Sequence, residues 1–152
     1  MEFIEDGNVI FLDSGSTIFC LAGMLSKKSG YTIVTTSLEA AYALVHSNNK
    51  VILTGGMLNP NSMAAEGFQA TSLINSLKVD IAFLGTNGFE QHKGPAVSDF
   101  QDAQTKQAII PNARTNVVIA DSSKAQASSL IQYTSWHDID PVSYTHLTLP
   151  TH

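Results

Sequence analysis

The chain has 152 residues, 43% of them apolar and 14% charged, with 13 acidic against 8 basic side chains for a formal net charge of −5. That length suits one globular domain and that composition excludes wholesale disorder, while an acidic chain without a basic cluster is a poor direct ligand for DNA phosphates. The single cysteine, Cys20, excludes an internal disulfide and a cysteine-rich zinc site, and it fits a reducing cytoplasm.

Residues 1–6 carry acids where a secretory leader would carry bases, and the apolar runs are strand-sized, so neither export nor a membrane span is expected. Along the chain, short β-type runs alternate with helical stretches. Val9-Ile10-Phe11-Leu12 predicts a first strand, stopped by Asp13-Ser14-Gly15-Ser16-Thr17. Ile18, Leu21, Ala22 and Leu25 share one face of a predicted helix. Tyr31-Thr32-Ile33-Val34-Thr35 predicts a second strand, and Ser37 is placed to cap a helix with Ala40, Ala41, Leu44 and Val45 as its buried stripe. Val51-Ile52-Leu53-Thr54 predicts a third strand ending at Gly55-Gly56, followed by a helix over residues 70–77. Ile81-Ala82-Phe83-Leu84 predicts a fourth strand ending at Gly85. A helix over residues 99–110 is ended by Pro111-Asn112, and Val117-Val118-Ile119-Ala120 predicts a fifth strand ending at Asp121-Ser122-Ser123.

This rhythm predicts an α/β fold of βαβ units, and the continuous apolar strands predict a mostly parallel β-sheet covered by helices on both faces, three layers in all. One domain is expected over residues 6–141. Residues 142–152 lack any helix or strand pattern and are expected to be a non-native or disordered tail.

Ligands of parallel α/β sheets bind beyond the carboxyl ends of the strands. Those ends are polar and glycine-rich here: Asp13-Ser14-Gly15-Ser16-Thr17, Thr35-Thr36-Ser37, Thr54-Gly55-Gly56, Gly85-Thr86-Asn87-Gly88 and Asp121-Ser122-Ser123-Lys124. A glycine flanked by hydroxyl residues between a strand and a helix suits a phosphate or another anion; an ordinary capped turn explains the same residues. The glycines of the later loops permit close backbone approach to a ligand, or simply tight turns. Lys124 offers an ammonium to a sugar phosphate or is a solvated lysine. Lys106 and Asp102 form an i,i+4 pair on a helix face expected to be mostly solvated. The five histidines have no metal-ligand spacing, and neither a P-loop nor a dinucleotide fingerprint is present, so no metal or cofactor is expected.

The order of these blocks resembles the C-terminal effector-sensing domain of DeoR-type bacterial transcriptional repressors over about residues 5–140. The resemblance implies a fold similar to ribose-5-phosphate isomerase and glucosamine-6-phosphate deaminase, and a site for a phosphorylated sugar or related metabolite. It implies a phosphate loop at Asp13, Ser14, Gly15, Ser16 and Thr17, and further ligand contacts at Thr35, Thr36, Ser37, Gly55, Gly56, Gly85, Thr86, Asn87, Gly88, Lys106 and Lys124. Family members commonly carry Asn at the Thr36 position, and a Glu where this chain has the shorter Asp102. It also implies a dimer or tetramer, and contact with DNA only through an N-terminal winged-helix domain that this chain does not carry.

Isomerases of this fold need a carboxylate to move a proton beside the sugar carbonyl. The loop after the fourth predicted strand has no acid before Glu90, which favours binding without turnover. Three readings follow: a non-catalytic phosphosugar sensor, a small isomerase or deaminase, and a structural oligomerisation module.

Overall fold

A computed structural model describes residues 4–89, 91–120 and 129–140. The elements run β1 (Val9–Leu12), α1 (Ser16–Leu25), β2 (Ser29–Thr35), α2 (Leu38–Leu44), β3 (Asn48–Leu53), β4 (Met57–Asn59), β5 (Ala64–Glu66), α3 (Phe68–Asn75), β6 (Val79–Leu84), β7 (Ala96–Val97), α4 (Phe100–Ile109), β8 (Ala113–Val118) and β9 (Ile131–Gln132). Five strands form one parallel sheet in the order β3-β2-β1-β6-β8. Ile10 pairs with Ile33 on one side and with Ile81 on the other, so β1 is a central strand.

Successive side chains of a strand point to opposite faces. Ile10 and Leu12 therefore join one buried cluster, with Ile18, Leu21 and Leu25 of α1 and Ala40 and Leu44 of α2. Phe11 joins the other, with Ile74 of α3, Ala103 and Ile109 of α4, and Val97 of β7. Both faces of β1 are thus dry, which is why its sequence is continuously apolar and not alternating. Fully burying a side chain such as Phe11 or Leu12 stabilises the fold by roughly 1.5–3 kcal/mol relative to exposure.

The expected three-layer α/β architecture is present. Ser37 caps α2, its Oγ accepting the Ala40 N–H at 3.0 Å, and Asp99 caps α4, its Oδ2 accepting the Asp102 N–H at 3.0 Å. The last sheet strand differs: β8 covers Ala113–Val118, earlier than the predicted run. Its first half is polar because it lies at the sheet edge, where Arg114 reaches solvent and binds Asp80 at 2.9 Å. Two antiparallel pairs were not predicted, β4 with β5 and β7 with β9. Each strand in them has only two or three residues, too few to show periodicity. The predicted tail, residues 142–152, lies outside the described residues.

Candidate functional site

The strand order turns at β1, whose neighbours β2 and β6 feed helices on opposite faces. Such a switch point opens a crevice at the carboxyl ends of the strands. Asp13 leaves β1 here and is 1% exposed. Its Oδ2 accepts the Gly85 N–H at 2.8 Å and pairs with Lys106 Nζ at 2.7 Å. Lys106, one turn along α4, also binds Asp102. Tyr133 closes the group from behind: its hydroxyl donates to the Gly85 carbonyl at 2.9 Å, and its ring centroid lies 5.5 Å from Lys106 Nζ.

This arrangement corrects the expectation of a solvated helix face. Lys106 is 2% exposed because α4 lays Ala103, Thr105, Lys106 and Ile109 inward. Asp102, despite its short side chain, reaches the ammonium. Asp13 lies beneath the phosphate loop expected of it and fastens β1 to the β6 end. Burial works to lower the Lys106 pKa, but the Asp13 and Asp102 carboxylates outweigh it and leave the ammonium harder to deprotonate than usual. Burial raises the Asp102 pKa and Asp13 adds to the rise, with Lys106 pulling against both. Burial also pushes the Tyr133 phenol well above its ordinary range, and the same two carboxylates add to that shift.

Above this buried group lies a cavity of about 520 Å³. Ser14, Gly15, Ser16 and Thr17 form one wall, Gly85, Thr86 and Asn87 a second, and Ser98, Asp99, Asp102 and Lys106 a third. Gly15 has φ 117° and is the N-cap of α1, with no side-chain cap hydrogen bond. The first-turn N–H groups of α1 therefore have no capping side chain and face a polar cavity, the setting in which a helix end attracts an anion. Thr86 Oγ1 lies 3.0 and 2.9 Å from the carbonyls of Gly88 and Ala96, and Asn87 Oδ1 accepts the Ser98 N–H at 3.0 Å. These bonds fold the loop after β6 against the start of α4.

The other expected positions take different parts. Thr35 Oγ1 donates to the Leu12 carbonyl at 2.7 Å and accepts the Ser37 N–H at 3.0 Å. The Thr36 carbonyl accepts the Ala65 N–H at 2.8 Å. Thr35, Thr36 and Ser37 thus buttress the rim and are absent from the cavity lining. Gly55 and Gly56 carry the turn into β4; a Cβ on Gly56 would meet the Glu66 carbonyl oxygen at 2.5 Å. Gly88 sits behind the rim, bridged to Ala96. Lys124, with Asp121, Ser122 and Ser123, lies outside the described residues.

The fourth wall was missed from sequence. Asn59, Asn61, Ser62 and Glu66 come from the β4–β5 hairpin. The turn residues Asn59-Pro60-Asn61-Ser62 were the available signal. Carboxylates also reach the cavity from outside the β6 loop: Glu66, Asp99 and Asp102. Among the described residues no group of three or more His, Cys, Asp and Glu side chains is placed to hold a metal ion.

Comparison with known proteins agrees with this geometry. Residues 1–143 match the family described as the DeoR C terminal sensor domain. The HTH-type transcriptional regulator GlpR of Haloferax volcanii is 32% identical over 140 residues, covering 92% of this chain and 55% of that protein. The glycerol-3-phosphate regulon repressor of Escherichia coli K12 is 30% identical over 150 residues, covering 98% of this chain and 59% of that protein. The chain therefore spans little more than half the length of these relatives. Ribose 5-phosphate isomerase A of Methanocaldococcus jannaschii superposes with a TM-score of 0.55 at 21% identity, over 81% of this chain and 48% of the enzyme. A D-ribose-5-phosphate isomerase in complex with phospho-erythronic acid gives 0.57 at 21% identity, over 81% of this chain and 48% of that one. These last two likenesses concern the fold, and they bear out the expected isomerase-like architecture. With the family match over residues 1–143 and the two regulators aligned over more than nine-tenths of the chain, the chain belongs to the DeoR C-terminal sensor domain family.

Proposed function

We propose that this domain binds a phosphorylated sugar or related metabolite in the cavity at the β1–β6 switch point, without turning it over. The observation that carries the reading is the α1 N-terminus: Gly15 caps it without a side-chain bond, and Ser14, Ser16 and Thr17 surround it on the cavity wall. A phosphate there gains backbone N–H groups, hydroxyls and the helix dipole together. The cavity volume of about 520 Å³ falls within the range of small-molecule sites. Regulator names among the relatives, one of them a glycerol-3-phosphate regulon repressor, support the same ligand class.

Binding without turnover is supported by the state of the carboxylates. Asp102 is held by Lys106, Asp99 caps α4, and Glu66 Oε2 accepts from Asn59 Nδ2 at 3.2 Å. Asp102 and Asp99 already serve the fold and Glu66 is oriented by Asn59, whereas a proton shuttle needs a carboxylate free to exchange a proton with the substrate carbon. In the complete regulator, ligand binding would favour one arrangement of the attached winged-helix domains, with a coupling of about 1–3 kcal/mol between effector and operator. DNA contact would run through those domains alone, in an oligomer within the cytoplasm. No helix among the described residues is long and apolar enough to cross a membrane. The domain itself is taken to extend over residues 6–141; Thr36, Gly55 and Gly88 enter the proposal as positions that shape the rim, and Lys124, outside the described residues, as an expected ligand contact.

Calorimetric titration with a panel of sugar phosphates tests this reading. Saturable binding by at least one, with no conversion of ribose 5-phosphate or glucosamine 6-phosphate, is the expected result. No binding by any of them overturns it, and saturable turnover of either sugar phosphate by the purified domain would move the protein to the enzymes.

A further inference from the structure

The β4–β5 hairpin forms the cavity wall that carries neither the helix N-terminus nor the lysine. Its polar tip is held stiffly. Asn59 pairs with Ala64 and Met57 with Glu66 across the hairpin. The hairpin is tied to the sheet by Ala65 N–H to the Thr36 carbonyl at 2.8 Å and by Leu38 N–H to the Met63 carbonyl at 2.9 Å. Gly56 lets the incoming chain pass against the Glu66 backbone, where any Cβ would collide at 2.5 Å. Asn61 N–H donates to Asn59 Oδ1 at 2.9 Å, and Asn59 Nδ2 donates to Glu66 Oε2 at 3.2 Å. Two side chains and the turn backbone thus hold one another in place before any ligand arrives.

The chemistry of this wall differs from that of the α1 loop. Glu66 is half-buried and has its Oε1 to offer as an acceptor beside the Asn59–Glu66 bond, and Asn61 and Ser62 add groups that both donate and accept. A hydroxyl, itself donor and acceptor, matches such a surface. A phosphate is an acceptor only, carries like charge, and meets a fixed carboxylate there. Asp99, on the adjoining wall, adds a second negative side chain.

From this we infer that the Asn59–Glu66 hairpin is the specificity wall of the cavity, selecting ligands with one phosphate and a free polyhydroxyl end and rejecting those with a second phosphate. The inference rests on the phosphosugar reading above. Glu66 acts through charge and acceptor geometry, Asn59 by orienting Glu66, and the Thr36–Ser37 rim by fixing the hairpin.

The test is calorimetry on the 152-residue chain with inorganic phosphate, pentose 5-phosphates, hexose 6-phosphates and fructose 1,6-bisphosphate as probes, on wild type, Glu66→Gln and Asn61→Asp. Thermal unfolding of each variant checks its fold. In the wild type the best monophosphate is expected to bind on the order of tenfold more tightly than the bisphosphate. Glu66→Gln should narrow that ratio severalfold. Asn61→Asp, at an exposed tip position, should widen it, so the inference stays testable even if Glu66→Gln fails to fold. Equal wild-type affinity for monophosphate and bisphosphate overturns the inference, as does a ratio that neither variant moves. In those outcomes monophosphate binding persists and the sensor reading stands. Absence of any sugar-phosphate binding by the wild type overturns both.

Discussion

Lys106 Nζ lies 2.7 Å from Asp13 Oδ2 at the junction of α4 with the end of β1, and both residues are almost wholly removed from water. The pair joins two distant sequence regions that both line the cavity. It follows that the geometry of the α1 loop depends on a residue from another helix altogether.

Lys106→Met should destabilise the domain strongly. Removing one partner of a buried pair leaves the other charge uncompensated, at about 3–5 kcal/mol. The double variant Lys106→Met with Asp13→Asn should recover part of that loss, because the deeply buried Asp13 charge is then gone while the partly exposed Asp102 is left without its ammonium. Urea unfolding of the single and double variants measures the difference; equal losses would mean that the pair does not act as a unit.

Stability should fall at high pH. The folded-state pKa of Lys106 lies above its ordinary value of 10.5, so the stabilisation is complete below that value and is lost as pH rises through the folded one. Tyr133 acts in the same direction: its neutral form is favoured in the fold, so stability declines above the phenol's ordinary 10.0. Tyr133→Phe should therefore give a shallower alkaline limb, together with a loss of about 1 kcal/mol for the hydrogen bond to Gly85. Denaturant midpoints across pH 8–11 would show it; an unchanged slope would contradict it.

On the acid side the sign for Asp102 is opposite to that of a typical paired carboxylate. Its raised pKa means that the fold favours the protonated form, so its contribution to stability declines as pH rises above the ordinary 3.8 through the folded value. Asp102→Asn should flatten that decline, and thermal midpoints between pH 3 and 7 measure it. A steeper pH dependence in the variant would contradict the burial argument.

Ser16→Asp should move stability and binding in opposite directions. A carboxylate in the first turn of α1 favours the helix by about 0.3–1 kcal/mol, but it occupies the field that would attract phosphate. The melting temperature should hold or rise while sugar-phosphate affinity drops on the order of tenfold. Joint loss of both would point to misfolding of the loop.

Gly56→Ala should loosen the hairpin, since φ 126° and the 2.5 Å approach to the Glu66 carbonyl both exclude a side chain. The strain should lower stability by about 1–3 kcal/mol and raise hydrogen exchange at Ala65, whose N–H reaches Thr36. Exchange unchanged at Ala65 would show that the turn adapts elsewhere.

Much of the architecture was legible along the chain. The central strands announced themselves as unbroken apolar runs, because both of their faces are covered, and Ser37 announced its helix because a cap is a local bond between residues three apart. The polar strand ends that line the cavity were legible too, since Ser14 to Thr17 and Gly85 to Asn87 interrupt those runs. Harder to read were Thr35, Thr36 and Ser37, whose polar groups hold neighbouring backbone and not the cavity.

Local pattern thus determined the core strands, their helices and two of the loops that line the cavity, because periodicity and capping act over a few residues. Tertiary packing alone decided that Lys106 is buried between Asp13 and Asp102, and that Asn59 and Glu66 line the same cavity as the α1 loop. A polar helix face looks the same in sequence whether it meets water or a carboxylate. Only the crossing of α4 over the strand ends, and the tethering of the hairpin to Thr36 and Leu38 between β2 and α2, distinguishes the two, and those contacts join residues far apart in the chain.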